Sequence, residues 1–164
     1  MGISVFPIPS ASSKTKKKVT LTSGSSYTVP AGVTEINVLL VGGGGGACKA
    51  SQSEGTGTGI GSDGYPGNSI WSTIVTSGGS SIGYSIGAGG TAGNTNTGGT
   101  GGNTTMTGAT TANGGSGGVF DGNMPAGGPS FASNEGRSSV NQSNSTPTGG
   151  GVGGSGFIIV EYWS

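Results

Sequence analysis

Forty of the 164 residues are glycine, and most stand in tracts rather than singly. Glycine loses more backbone freedom on folding than any other residue, and in a helix it costs about 1 kcal/mol per position relative to alanine. No helical pattern survives anywhere in such a chain. Serine, threonine and asparagine raise the small and turn-forming residues to 95. Ile, Val, Leu and Phe number only 28, fewer than an ordinary core requires. That composition argues against a compact α/β enzyme domain and against a helical bundle. Histidine is absent, acids number six and cysteine one, which excludes His-dependent triads, Cys/His zinc sites and a disulfide scaffold. No run of 18 apolar residues is present, so no membrane insertion is expected.

Scarce hydrophobes suggest disorder only when charge repulsion accompanies them, and here the net charge is zero. The apolar residues are also gathered into strand-length runs. Residues 18–41 hold nine of the 28, residues 69–86 hold five, and Phe157–Val160 add four. Period-two alternation predicts strands over 18–22, 33–41, 69–76, 81–86 and 156–163, with short edge strands near 104–107 and 109–112. Tyr27 and Val29 continue the alternation of the first run into a Pro30-Ala31-Gly32 turn. Val33–Val41 begins polar on one face and ends apolar on both, so its far end should be buried on both sides. Ser77-Gly78-Gly79-Ser80 reads as the hairpin turn joining the third and fourth of these strands. The expected fold is all-β, a small antiparallel β-sandwich-like domain with Gly-rich loops.

The glycine tracts carry a period of their own. Gly87, Gly90, Gly93, Gly99 and Gly102 fall in steps of three; Gly61, Gly64 and Gly67 repeat the spacing, as do Gly150, Gly153 and Gly156. Three is the period of the polyproline II helix, which has no internal hydrogen bonds. Several such segments side by side satisfy one another's backbone groups, with glycine at contacts where no Cβ fits. Packed polyglycine segments of this kind are therefore expected.

Charge is distributed unevenly. Lys14, Lys16, Lys17 and Lys18 are four of six positive charges, and the body beyond residue 18 carries a formal −4. Residues 1–18 read as an N-terminal docking arm and basic linker, and residues 19–164 as the glycine-rich β domain. Within the arm, Ile3, Val5, Phe6 and Ile8 are the candidates for burial in a partner's groove. No aromatic residues interleave the lysines, so nucleic-acid binding is not expected. A secretory signal is not visible in the first residues.

Sites that need catalytic or cofactor chemistry find no support. Val38–Val41 running into Gly42–Gly46 imitates a dinucleotide-binding turn, but the residues that follow form no helix to receive a pyrophosphate. Cys48 reads as a small buried or partly buried thiol, and the six carboxylates are too scattered for a glycosidase pair. No enzyme activity, cofactor or metal is expected. What remains are isolated side chains that the scaffold does not need, in two insertions, 50–67 and 119–146. Tyr65, Phe120, Asp121, Met124, Phe131 and Arg137 are the candidates for recognition there.

Tyr27–Gly46 (YTVPAGVTEINVLLVGGGGG), Gly87–Gly90 after Tyr84-Ser85-Ile86, and the closing Gly153–Tyr162 together resemble the glycine-rich domain at the ends of bacteriophage tail fibres and related virion proteins. The chain is also similar in style to tail-fibre tip adhesins of T-even-like phages. The resemblance implies a virion protein, made in the host cytoplasm, with variable loops that bind a bacterial surface receptor. It implies docking to other virion proteins through the N-terminus and a homo-oligomer, a trimer by analogy with fibres. A structural virion decoration or tail-assembly protein without a receptor is the alternative.

Overall fold

The computed structural model describes residues 14–48, 62–93, 97–119 and 151–164. Its strands are β1 (Lys16–Leu21), β2 (Ser26–Thr28), β3 (Glu35–Val41), β4 (Ser69–Val75), β5 (Ser81–Ser85), β6 (Thr105–Met106) and β7 (Phe157–Trp163). The fold is all-β, in two antiparallel sheets of order β1-β7-β3-β4 and β2-β5-β6. The inner strands β3 and β7 carry apolar residues on both faces. Leu40 and Val41 are both buried, so the far end of β3 is covered on both sides as its pattern requires. Between the sheets, Ile36, Val38, Leu40, Ile158 and Val160 pack with Val29, Val33, Ile82, Tyr84 and Met106. The Tyr27 hydroxyl is buried there without a hydrogen-bond partner among the described residues. Burial, and secondarily the charge of Tyr162, push its ionisation above the usual phenol range.

Two features of the sheets differ from the sequence reading. Ser77–Ser80 is a turn, closed by the Ser80 N–H to the Ser77 carbonyl at 3.0 Å, but it does not close a hairpin. β4 pairs with β3, and β5 pairs with β2 and β6, so this turn carries the chain from one sheet to the other. Gly79, at φ 83°, makes the reversal and donates to the Val29 carbonyl. The second difference is at the start. Lys16–Lys18 form the first half of β1, an edge strand paired with β7, so three of the four lysines of the basic run belong to the sheet. Lys16 lies 2.7 Å from the Glu161 carboxylate and 5.7 Å from the centre of the Trp163 ring. Lysines along an edge oppose strand addition by other chains.

The glycine tracts build a second layer on the end of the sandwich. Gly42–Cys48 continues β3 as an axis. Gly42, Gly45 and Cys48 donate to the carbonyls of Asn68, Tyr65 and Ser62; Gly43 and Gly46 donate to Gly102 and Gly99; Gly44 and Ala47 donate to Gly154 and Gly151. Carbonyls follow the same rule: Gly43 and Gly46 accept from Gly115 and Gly118, and Gly44 and Ala47 from Gly90 and Gly93. Each partner segment returns every third residue. That is the threefold repeat of polyproline II, which rises about 3.1 Å per residue.

Among the described residues five segments surround the axis. Those near 62–68, 99–102 and 151–154 run against it, and those near 87–93 and 113–118 run with it. Neighbours bond to each other in the same steps, Tyr65 and Asn68 donating to Ser116 and Asn113, and Gly153 and Gly156 to Gly90 and Gly87. The phased glycines are where segments touch. A Cβ on Gly64, Gly67, Gly98 or Gly101 would fall inside a carbonyl of the axis.

Thr104 joins the two layers. It is fully buried, its Oγ1 donates to the Val41 carbonyl at 2.7 Å, and it accepts from the Gly87 N–H at 3.0 Å. Thr104→Val keeps the shape and strands both backbone groups away from water, at a cost of about 2–4 kcal/mol. Thr104→Ser keeps both bonds and should lose about 1 kcal/mol for its methyl group. Urea unfolding of the two variants checks the difference between them.

Candidate binding face

The stack has two ends of different character. At the lower end every segment connects to the sandwich: Val41 runs into Gly42, Asn68 into β4, β5 into Gly87, Gly156 into β7. At the upper end lie Ala47, Cys48, Ser62, Gly93, Thr97, Val119 and Gly151. These residues are tied to one another. Cys48 N–H donates to the Ser62 carbonyl at 3.1 Å, Ser62 N–H donates back to the Cys48 sulfur at 3.1 Å, and Ala47 N–H donates to Gly151. Ser62 Oγ donates to the Val119 carbonyl at 2.7 Å and accepts from the Val119 N–H at 2.8 Å, while Thr97 bridges Val119.

The chain between 48 and 62, between 93 and 97, and between 119 and 151 therefore leaves and re-enters at one end, farthest from the sandwich. All three stretches lie outside the described residues. Five of the six recognition candidates, Phe120, Asp121, Met124, Phe131 and Arg137, fall in the third of them. The docking candidates Ile3, Val5, Phe6 and Ile8 also lie outside the described residues. Each stretch is anchored at both ends by backbone bonds, the arrangement by which a rigid scaffold holds loops in fixed relative positions.

Tyr65 is the sixth candidate, and the structure moves it. Residues 62–68 are a segment of the stack, so Tyr65 does not belong to the insertion above it. Its carbonyl accepts from Gly45 and its N–H donates to Ser116, which places it mid-stack, about 9 Å below Ser62 at the polyproline II rise. Its side chain is 59% exposed on the flank. The axis also disposes of the dinucleotide resemblance: the N–H groups of Gly42–Cys48 are taken by protein carbonyls and are not aimed at a phosphate. Cys48 is fully buried, as its setting suggested. Among the described residues no group of three His, Cys, Asp or Glu side chains is placed to hold a metal ion.

Sequence reasoning passed over Ser62, whose hydroxyl clamps the base of two of these stretches, and Thr104 below it. Neither carries a signal, since serine and threonine occur throughout the tracts. Comparison with known proteins gives one clear result at the level of the domain. No curated protein matches the chain. A glycine-rich domain family matches residues 20–157, which takes in the end of β1, all of β2–β6, the whole described stack and the first residue of β7. The chain belongs to that glycine-rich domain family.

Proposed function

We propose that the protein is a non-enzymatic bacteriophage virion protein, a tail-fibre or tail-tip adhesin whose upper end binds a receptor on the bacterial surface. The observation that carries this reading is the common end at which all three interruptions of the glycine stack open. The stack needs a reversal at each of these places, but 94–96 spans one of them with three residues, so the length of 49–61 and 120–150 exceeds what the stack itself requires. The stretch after Val119 holds Phe120, Phe131 and Arg137, residue types that dominate recognition energetics. The resemblance of Tyr27–Gly46 to phage fibre domains supplies the setting, and the apolar Ile3, Val5, Phe6 and Ile8 supply the attachment to other virion proteins. Because β1 starts at Lys16, the truncation that tests attachment without cutting the sheet removes residues 2–13.

The test replaces Phe120, Asp121, Met124, Phe131 and Arg137 together, with Tyr65 replaced separately, and measures adsorption of the parent particle to host cells. Adsorption should fall by at least about tenfold, the equivalent of one lost anchor, while the melting midpoint of the purified chain holds. Tyr65 should contribute less than the five, since it sits on the flank. Unchanged adsorption in both variants would contradict the adhesin reading and favour a structural virion decoration.

A further inference from the structure

We propose that the outer face of the four-stranded sheet is the surface on which a second copy of this chain associates. Strand alternation puts Ile36, Val38, Leu40, Ile158 and Val160 on the face packed against the other sheet, so Leu39, Trp71, Ile159 and Trp163 lie on the opposite one. Register aligns Trp71, Leu39 and Ile159 in one row across β4, β3 and β7. Both tryptophans of the chain are on this face, and they are 58% and 41% exposed. Tryptophan is the residue most enriched among the anchors of protein interfaces, and an apolar row rimmed by polar groups marks an interaction surface. The rim is present: Asn37 accepts from Thr73 Oγ1 at 2.7 Å, and Glu161 pairs with Lys16.

Charge decides for a second copy over an acidic or basic partner. Lys16 and Lys18 occupy one margin of the face on β1, and Glu35 lies toward the other on β3, so with Glu161 the face carries no net charge. The whole chain is also neutral, so copies do not repel. A two-fold axis parallel to the strands lays β1 of each copy over β4 of the other and β7 over β3. Ile159 then meets Leu39 of the other copy, and the lysine margin falls beside its Glu35. Sheets packed in this way stand about 10 Å apart, room for one interdigitated layer of side chains. An isologous face closes on itself, so two copies satisfy it, rather than the three that the fibre resemblance implies.

The test is sedimentation of the full chain at concentrations up to about 200 μM, with tryptophan emission followed in parallel. The expected mass is twice 15.5 kDa, and emission shifts to the blue as copies associate. Trp71→Lys should raise the dissociation constant at least about 100-fold. The side chain points away from the core, so the melting midpoint at low concentration should hold, and Val152→Lys, an exposed change on the stack, should leave association as it was. A single-copy mass across the whole range, or association that Trp71→Lys leaves intact, overturns the proposal.

Discussion

Replacing Gly45 by alanine is expected to unfold the protein. The added Cβ would fall inside the carbonyl of Ser116, a backbone group held in place by the Tyr65 N–H at 2.8 Å. Neither group can retreat without breaking the bonds that tie segments 62–68 and 113–118 to the axis. Overpacking of an ordinary core costs about 1–3 kcal/mol because side chains change rotamer, and here no side chain is available to do so. A loss above about 4 kcal/mol is expected, most of the stability of a domain this size. Gly46→Ala should behave alike, because its Cβ would meet the Thr91 carbonyl that already accepts from Gly99. Gly83→Ala is the contrast: its Cβ would sit 3.6 Å from Thr107 Oγ1 on the exposed side of β5, and its effect should stay within about 0.5 kcal/mol. Urea unfolding of the three variants checks this, and a Gly45→Ala protein within about 1 kcal/mol of the parent would contradict the packing described.

The strands were legible because a pleated, half-buried strand writes its period into side chains. Ile36, Val38 and Leu40 alternate in sequence as they do in the core. Pairing was less legible. A Ser-Gly-Gly-Ser turn reverses the chain equally well within a sheet or between two, so β4 and β5 read as partners and are not. Lys16–Lys18 read as linker because charge says nothing of the β7 strand waiting beside it. The period of three in the glycines pointed to polyproline II packing, and the structure contains it. Which segments are neighbours was hidden, because backbone-to-backbone bonds leave no mark on side-chain identity. Tyr65 was misplaced for the same reason: a stack segment and a surface loop share the composition Ser, Gly, Pro and Asn. The two tryptophans on one sheet face became visible only once register was known.

Gly42–Cys48 is a fixed axis whose N–H groups are all bonded, rather than the flexible linker that a run of five glycines is in isolation. Amide hydrogen exchange followed by NMR reads this directly. The N–H groups of Gly43, Gly44, Gly45 and Gly46 are buried and bonded to three different segments, so they should exchange only when the whole domain opens. For a stability of about 5.5 kcal/mol that is a slowing of about 10⁴-fold, equal to that of Val38 in the centre of β3. Exchange of these glycines at the rate of an unstructured peptide, with Val38 still protected, would contradict the stack and leave only the sandwich.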